Sequence, residues 1–383
     1  MNFREQFKAI LTFKERGRMP IMHFGYWKET LQAWVDQGHL KPEEIIGTAD
    51  CNEVENRISA KLGFDCGFLN CFQDKSGSHT SSLYPPFEQE IVRIRPDGLK
   101  EIRNKYGVVE LHKDGAQSIH AEVDTLLKDR KSWEEHYKPR LIFSEDRLDY
   151  PAMEKLKAEN DTREVPLSLF GGSMMGQVRN YIGLENLSYM LIDDPELVAE
   201  ICDTLGELAY QSCKAILDYG IKFDFIHFWE DISYNHGPLI NPAVVRKLTE
   251  RNYRRVVELG GKYGVEVFSL DSDGQIDQLL DLWLDSGVTT MMPIEVGTWG
   301  ASIAPWRQKY GEKIKGLGGL NKHCFARGRE AVDAEIKRIM PLVELGGYIP
   351  MPDHRIAPDA EWDNVRYYTD RFREALIKAG YNA

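Results

Sequence analysis

Acidic, amide and imidazole side chains follow a series of apolar segments in the second half of this 383-residue chain. The groups that follow them are Glu230-Asp231, Asp271-Ser272-Asp273, Glu295, Asn321-Lys322-His323 and Asp353-His354-Arg355. Carboxylates brought close together repel one another unless a cation, a proton or a basic substrate relieves the charge. The set therefore predicts either a metal site or acid and base groups with separated pKa values.

Each member of this set also has an ordinary structural interpretation. Asp273 precedes a helix-like segment and could cap it, and Asp231 could cap the turn that follows it. Asp353 and Arg355 could form a loop ion pair, and His354 alone is more typical of a loop residue than of a ligand. Recurrence after five successive apolar segments is what favours the functional interpretation.

The apolar segments that precede these groups are predicted strands. Together with one earlier segment they span 166–171, 224–229, 266–270, 288–294, 314–318 and 347–351. Uninterrupted apolar runs are typical of strands covered on both faces. Amphipathic helices, such as 195–220 and 242–264, begin at Pro and end at Gly. Two further strand candidates, 20–26 and 66–72, complete a predicted α/β fold of the (β/α)₈ TIM-barrel type.

A parallel barrel carries its active site at the carboxyl ends of its strands, so the polar groups are expected to share one rim. Residues 86–113 differ, because apolar and polar residues alternate there around a Pro96-Asp97-Gly98 turn. This pattern predicts an antiparallel hairpin inserted between barrel strands two and three. We find no linker or second apolar core, so residues 1–383 are expected to form a single domain.

The composition excludes several classes of partner. The net charge of −12 disfavours nucleic acids and anionic lipid surfaces. No apolar run approaches the roughly 20 residues of a membrane-spanning helix, and the first residues lack a signal-peptide pattern. These features predict a cytoplasmic protein. The six cysteines show no CxxC pair and are expected to be reduced thiols.

Several motifs resemble those of the uroporphyrinogen decarboxylase superfamily. They are 228–232 (FWEDI), 237–242 (GPLINP), 272–274 (SDG), 293–295 (PIE), 318–321 (GGLN) and 346–359 (GGYIPMPDHRIAPD). The similarity extends from about residue 160 to the C-terminus, with the motifs in the expected order. The resemblance implies a distorted (β/α)₈ barrel that catalyses either porphyrinogen decarboxylation or methyl transfer involving a corrinoid.

The region after the first predicted strand separates these two branches. Uroporphyrinogen decarboxylases carry Arg-Gln-Ala-Gly-Arg there to bind substrate carboxylates, whereas residues 23–30 of this chain read HFGYWKET. The resemblance is therefore closer to the cobalamin-dependent methyltransferase branch, which holds zinc through His-x-Cys and a later Cys. The matching positions here are Asp271, Asp273 and His354, which implies a divalent metal, zinc foremost, with harder ligands.

The resemblance further implies metal-assisted methyl transfer between a small substrate, such as a methoxylated one, and a corrinoid, either methylcobalamin or a corrinoid protein. Glu230 or Asp231 would protonate the leaving oxygen, and Glu295 or Asp271 would assist the metal. Relatives of this kind often form homodimers, which adds a second copy of the chain to the expected partners.

Two alternatives remain open from the sequence. A lyase acting on a carboxylated ring, porphyrin or other, would need cationic groups such as Lys28, Arg179 or Arg355 near the pocket. A non-catalytic protein that binds a tetrapyrrole or corrinoid would show tight binding without turnover.

Overall fold

The computed structural model describes residues 1–14, 17–113 and 121–382. Its strands are β1 (Met22–His23), β2 (Cys66–Gly67), β3 (Glu90–Ile94), β4 (Lys100–Arg103), β5 (Val108–His112), β6 (Ala121–Thr125), β7 (Ser168–Gly172), β8 (Phe225–Trp229), β9 (Ser233–Tyr234), β10 (Gly237–Pro238), β11 (Val267–Asp271), β12 (Thr290–Ile294), β13 (Lys315–Leu320) and β14 (Tyr348–Pro352). Its α-helices are α1 (Phe3–Leu11), α2 (Lys28–Asp36), α3 (Pro42–Ile45), α4 (Glu53–Leu62), α5 (Leu69–Phe72), α6 (Arg130–Ser132), α7 (Tyr150–Ala158), α8 (Gly176–Ile182), α9 (Leu184–Asp193), α10 (Pro195–Asp218), α11 (Pro242–Lys262), α12 (Leu280–Asp285), α13 (Val296–Trp299), α14 (Ile303–Tyr310), α15 (Arg329–Glu344) and α16 (Trp362–Lys378).

Six strands form one parallel sheet in the order β14-β13-β12-β11-β8-β7, while β1 and β2 form a separate parallel pair. The segments that follow β1 and β2 contact the two edges of the large sheet. A parallel bridge joins Tyr26, just after β1, to Ile356 after β14. On the other side, the Ser168 hydroxyl of β7 donates a hydrogen bond to the Phe72 carbonyl at 2.7 Å. The eight predicted strands are therefore present as one six-stranded and one two-stranded parallel sheet.

The first two parallel strands are much shorter than the predicted segments 20–26 and 66–72. After β1 the backbone turns at Gly25, whose φ of 112° is disfavoured for other residues. After β2 the chain enters helix α5, so most of the second apolar run is helical. A short apolar run is compatible with a buried strand and with a buried helix, which is why the pattern alone did not separate them.

The inserted region forms a four-stranded antiparallel sheet in the order β3-β4-β5-β6, larger than the hairpin predicted for 86–113. The predicted turn joins β3 to β4, with the Arg95 amide donating to the Leu99 carbonyl at 2.8 Å. Strand β6 lies beyond residue 113, outside the predicted bounds, and four of its five residues are exposed. Its alternation of Ala121 and Val123 with Glu122 and Asp124 has the period of a strand, a signal that the prediction did not use.

The long helices begin where the sequence predicts. Asp194 accepts a hydrogen bond from the Leu197 amide at 3.0 Å and caps α10, and Asn241 caps α11 through the Ala243 amide at 2.9 Å. These two helices pack closely because position 206 is Gly; an added Cβ would lie 2.3 Å from Cγ of Asn252. None of the described helices combines the length and apolar character needed to cross a bilayer.

Arg147 is 1% exposed and joins two loop segments that precede β7. Its Nε donates to the Ile142 carbonyl at 2.9 Å, and Nη1 donates to His79 and Ser82 at 3.1 and 2.8 Å. Nη2 donates to the carbonyl of Arg140. Burial lowers the pKa of this guanidinium, because neutral carbonyls replace water only in part.

Replacing Arg147 by Met should lower the free energy of unfolding by about 3 kcal/mol, because four backbone carbonyls lose the donor that the buried guanidinium supplies. The control is Arg57→Met, a side chain 65% exposed and 3.9 Å from Glu53, which should change stability by less than about 0.5 kcal/mol. Urea unfolding followed by tryptophan fluorescence measures both. Equal unfolding midpoints for the two variants would contradict this role.

Candidate active site

Three adjacent strands of the large sheet deliver carboxyl groups to the same edge. Strand β8 is followed by Glu230 and Asp231, β11 ends at Asp271 and leads to Asp273, and β12 is followed by Glu295. The backbone holds these ends in register, since the Glu230 amide donates to the Asp271 carbonyl at 2.8 Å. The structure thus gathers side chains that lie up to 65 residues apart in the sequence.

Glu230 is fully buried and faces the protein interior. One carboxylate oxygen accepts hydrogen bonds from the Met174 amide and, at 2.5 Å, from the Tyr253 hydroxyl. The other accepts from the amides of Met175 and Gly176 at 2.9 and 2.5 Å. Burial raises the pKa of Glu230, and these bonds oppose that shift. Both oxygens are therefore engaged in holding the loop between β7 and α8.

Asp231, the next residue, lies beside Asp273 in the site. Its Oδ1 accepts a hydrogen bond from the Asp273 amide at 3.1 Å. Burial, followed by the negative charge of Asp273, raises the pKa of Asp231 to about 6. The positive charge of Arg179 opposes this shift but does not cancel it. Asp231 is therefore a carboxyl group that titrates close to neutral pH.

Asp271 and Glu295 complete a group that we call the acidic cluster: Asp231, Asp271, Asp273 and Glu295. Burial raises the pKa of Asp271 well above its usual range, and the charges of Asp273, Asp231 and Glu295 add to the shift. Burial and then Asp273 raise the pKa of Glu295. The Gly274 amide donates to Glu295 at 2.6 Å, which opposes that rise. The charge of Asp273 therefore repels each of the other three carboxylates of the acidic cluster.

His354 reaches the acidic cluster from the end of β14. Its Nε2 lies 3.5 Å from Oδ2 of Asp273. The other carboxylate oxygen of Asp273, Oδ1, is buried and has no hydrogen-bond partner among the residues that the structure describes. The imidazole itself stacks against Phe24 and Trp27. Five predicted site residues, the acidic cluster and His354, are therefore brought together.

Other polar groups at this edge of the sheet serve the loops. Asp353 is buried and accepts hydrogen bonds from the amides of Gly297 at 2.6 Å and Lys322 at 3.1 Å. Asn321 accepts from the His323 amide at 3.1 Å and caps a short turn. Asp353 therefore holds loops through backbone amides and not through the ion pair with Arg355 that the sequence allowed, since Arg355 pairs with Asp50.

The cationic residues near the site have partners of their own. Arg355 forms a bidentate ion pair with Asp50 at 2.7 and 2.6 Å. Burial raises the pKa values of Asp231 and of Glu122 in β6, and the charge of Arg179 opposes both shifts. Sequence reasoning missed Asp50, which is 305 residues from Arg355, and no local pattern signals such a contact.

The donor types of the site suit a divalent cation, since carboxylate oxygens and one imidazole nitrogen are available. The unpartnered Oδ1 of Asp273 and the repulsion within the acidic cluster would both be relieved by a positive ion. Within residues 1–14, 17–113 and 121–382, however, no three His, Cys, Asp or Glu side chains stand in an arrangement ready to hold a metal. The predicted ligands Asp271, Asp273 and His354 thus match the ion in chemistry and would have to move to enclose it.

The fold is similar to that of a methyltransferase from Methanosarcina mazei, with a TM-score of 0.61, 13% sequence identity, and coverage of 98% of this chain and 99% of that chain. A B12-independent methionine synthase from a Shewanella species matches with a TM-score of 0.48 and 12% identity over 94% of this chain and 100% of that chain. At these sequence identities the two matches show a similarity of fold alone. A comparison with curated protein sequences finds no match.

A parallel sheet with acidic groups beyond the carboxyl ends of its strands is the architecture of many α/β enzymes. Residues 127–375, more than half of the chain, match the uroporphyrinogen decarboxylase (URO-D) family. The chain belongs to this family, which confirms the resemblance noted in the sequence. Residues 1–126, which include β1 and Asp50, lie outside the matched region.

Glu230→Gln should lower the free energy of unfolding by about 2 kcal/mol, because the amide NH₂ would face backbone N–H donors and leave them unpaired. The matched control is Glu185→Gln on the exposed face of α9, which should stay within about 0.5 kcal/mol of the native protein. Urea denaturation compares the two. A Glu230→Gln protein as stable as the control would show that the loop does not depend on this carboxylate.

Asp231→Asn should stabilise the protein increasingly as the pH rises from about 4 to about 7. Folding raises the pKa of Asp231 from 3.8 to about 6. The protonated side chain therefore makes its full contribution to stability below pH 3.8, and this contribution is lost as the pH rises through 6. Asn cannot ionise and keeps the acceptor for the Asp273 amide, so the variant escapes this loss of about 1–3 kcal/mol. Urea unfolding at a series of pH values measures the difference; a constant difference would refute the raised pKa.

Proposed function

We propose that this URO-D family protein transfers a methyl group between a small, methoxylated substrate and a corrinoid co-substrate. The observation that carries the proposal is the acidic cluster, in which Asp231 holds a pKa of about 6 at the carboxyl ends of the parallel strands. A methyltransferase of Methanosarcina mazei shares the fold, which supports the same class of reaction here.

We infer that the two parallel sheets act together as a distorted (β/α)₈ barrel. The Tyr26–Ile356 bridge links β1 to β14, and the Ser168–Phe72 hydrogen bond links β7 to the segment after β2. With both edges of the six-stranded sheet contacted in this way, the acidic cluster lies at the barrel mouth.

In this proposal Asp231 is the general acid. When the bond between oxygen and the methyl carbon breaks, the leaving oxygen would keep the bonding electrons and take the proton of Asp231, while a reduced corrinoid would supply the electron pair for the new bond to the methyl carbon. A carboxyl group can supply that proton near neutral pH because its pKa is about 6. Glu230 was the other candidate, but its oxygens are engaged by loop amides and by Tyr253.

We further propose that Asp271, Asp273 and His354 hold a divalent ion, with zinc as the foremost candidate and Glu295 assisting. Such an ion, when bound, would act as a Lewis acid toward the leaving oxygen. The residues themselves orient one another. The backbone amide of Asp273 donates to Asp231, and the carboxylate of Asp273 lies 3.5 Å from Nε2 of His354.

Decarboxylation of a ring carboxylate is less well supported, because a polycarboxylate substrate needs free cationic groups. The guanidinium of Arg355 is already paired with Asp50. Arg179 is a further cation near Asp231, and its Nη2 donates a hydrogen bond to the side-chain oxygen of Asn180 at 2.7 Å.

The test incubates the protein with a reduced corrinoid and 2-methoxyphenol and follows corrinoid methylation by absorbance. Asp231→Asn should lower the rate by about 100-fold or more, as expected for loss of a general acid. Elemental analysis of protein purified without chelators should find about one divalent ion per chain, lost in His354→Ala. The control His323→Ala, outside the acidic cluster, should retain the ion.

Three results would change the assignment. Full metal occupancy in both Asp273→Ala and His354→Ala would refute the ligand set. Release of CO₂ from a carboxylated ring without methyl transfer would establish the lyase alternative. Tight corrinoid binding with no turnover would instead indicate a binding protein.

A further inference from the structure

A column of stacked aromatic rings includes the imidazole of His354. Phe72 stacks on Phe68 with centroids 4.1 Å apart, and Phe68 stacks on Phe24 at 5.2 Å. Phe24 stacks on the imidazole of His354 at 5.1 Å with an interplanar angle of 16°. Trp27 covers the other side of the imidazole at 5.8 Å and 30°. We call these five side chains the ring column.

Both ends of the ring column are fixed. Phe68 and Phe72 are buried in the core between α5 and the parallel sheets. At the other end, the guanidinium of Arg355 lies 5.7 Å from the centroid of Trp27 and is held by the two oxygens of Asp50. The imidazole is therefore enclosed between rings that cannot easily separate.

We infer that Phe24 and Trp27 are positioning residues that hold the His354 imidazole with Nε2 toward Asp273. The inference deepens the proposed function, on which it rests for the chemical role of His354. The contact between Nε2 and Oδ2 of Asp273 is 3.5 Å, so a modest rotation of the ring would break it. Rotation out of the stack requires Phe24 and Trp27 to move apart.

The two rings that contact His354 come from the segment between β1 and α2. Phe24 follows β1 and Trp27 precedes α2, both outside the region 127–375 that matches the URO-D family. Both aromatic side chains contact His354 directly.

The test compares Phe24→Leu and Trp27→Leu with the conservative Trp27→Phe. Phe325→Leu is the matched control, because this buried ring packs on Tyr368 at 5.5 Å and is not part of the ring column. The first readout is the pair of imidazole nitrogen chemical shifts of His354 in ¹⁵N-histidine-labelled protein at about pH 8.5, where free histidine is neutral. His354→Gln assigns the signals by their disappearance.

In the native protein the two nitrogen shifts of His354 should be well separated, because only Nε2 faces Asp273. The two Leu variants should bring them together as the ring samples both orientations, whereas Trp27→Phe and Phe325→Leu should keep the native separation. Trp27 is partly exposed, so Trp27→Leu tests the inference even if Phe24→Leu fails to fold. The inference is overturned if Trp27→Leu keeps the native separation of the two nitrogen shifts and Phe24→Leu, where it folds, keeps it too.

The second readout is methyl transfer. Leu variants should lower kcat by about 10- to 100-fold, the usual effect of losing a residue that orients a functional side chain. The nitrogen shifts can converge in the Leu variants while neither these variants nor the native protein transfers a methyl group. That result would refute the proposed function and leave the positioning role standing. If Phe24→Leu and Trp27→Leu lose no more rate than Phe325→Leu and leave the nitrogen shifts of His354 unchanged, the rings only stabilise the fold.

Discussion

Repulsion between carboxyl groups around Asp273 is the constraint on which this site depends. The charge of Asp273 contributes to the raised pKa values of Asp231, Asp271 and Glu295. The fold tolerates the repulsion because backbone amides of the β11 loop donate to two of these groups: the Asp273 amide to Asp231 and the Gly274 amide to Glu295. A proton or a bound cation would relieve the repulsion that remains.

The carboxyl groups beyond the strand ends divide into two kinds according to their donors. Glu230 and Asp353 each accept hydrogen bonds from two or more backbone amides and hold loops in place. Asp273 keeps one buried oxygen without a partner among the described residues. Glu295 is intermediate, because each of its oxygens accepts one hydrogen bond, from the Thr298 hydroxyl and from the Gly274 amide. A carboxylate whose oxygens are fully engaged by donors has little capacity left for a ligand.

The region before the family match contributes to the site through long-range contacts. Asp50 neutralises Arg355, which in turn lies over Trp27, while Phe24 connects His354 to the apolar core. These contacts join segments more than 300 residues apart in the chain. The geometry of His354 is therefore set jointly by the first and last parallel strands, whose neighbourhood is established by the Tyr26–Ile356 bridge.

The sequence by itself determined the alternation of strands and helices, the caps of α10 and α11, the family, and the convergence of Asp231, Asp273 and His354. Local periodicity, capping residues and the carboxyl-end rule are properties of short segments, which one sequence displays. Only the tertiary structure decided that Glu230 faces inward while Asp231 joins the acidic cluster, and that Asp50 pairs with Arg355. Beyond a strand end no periodicity sets the direction of a side chain, so its role depends on donors and charges that distant segments bring to it.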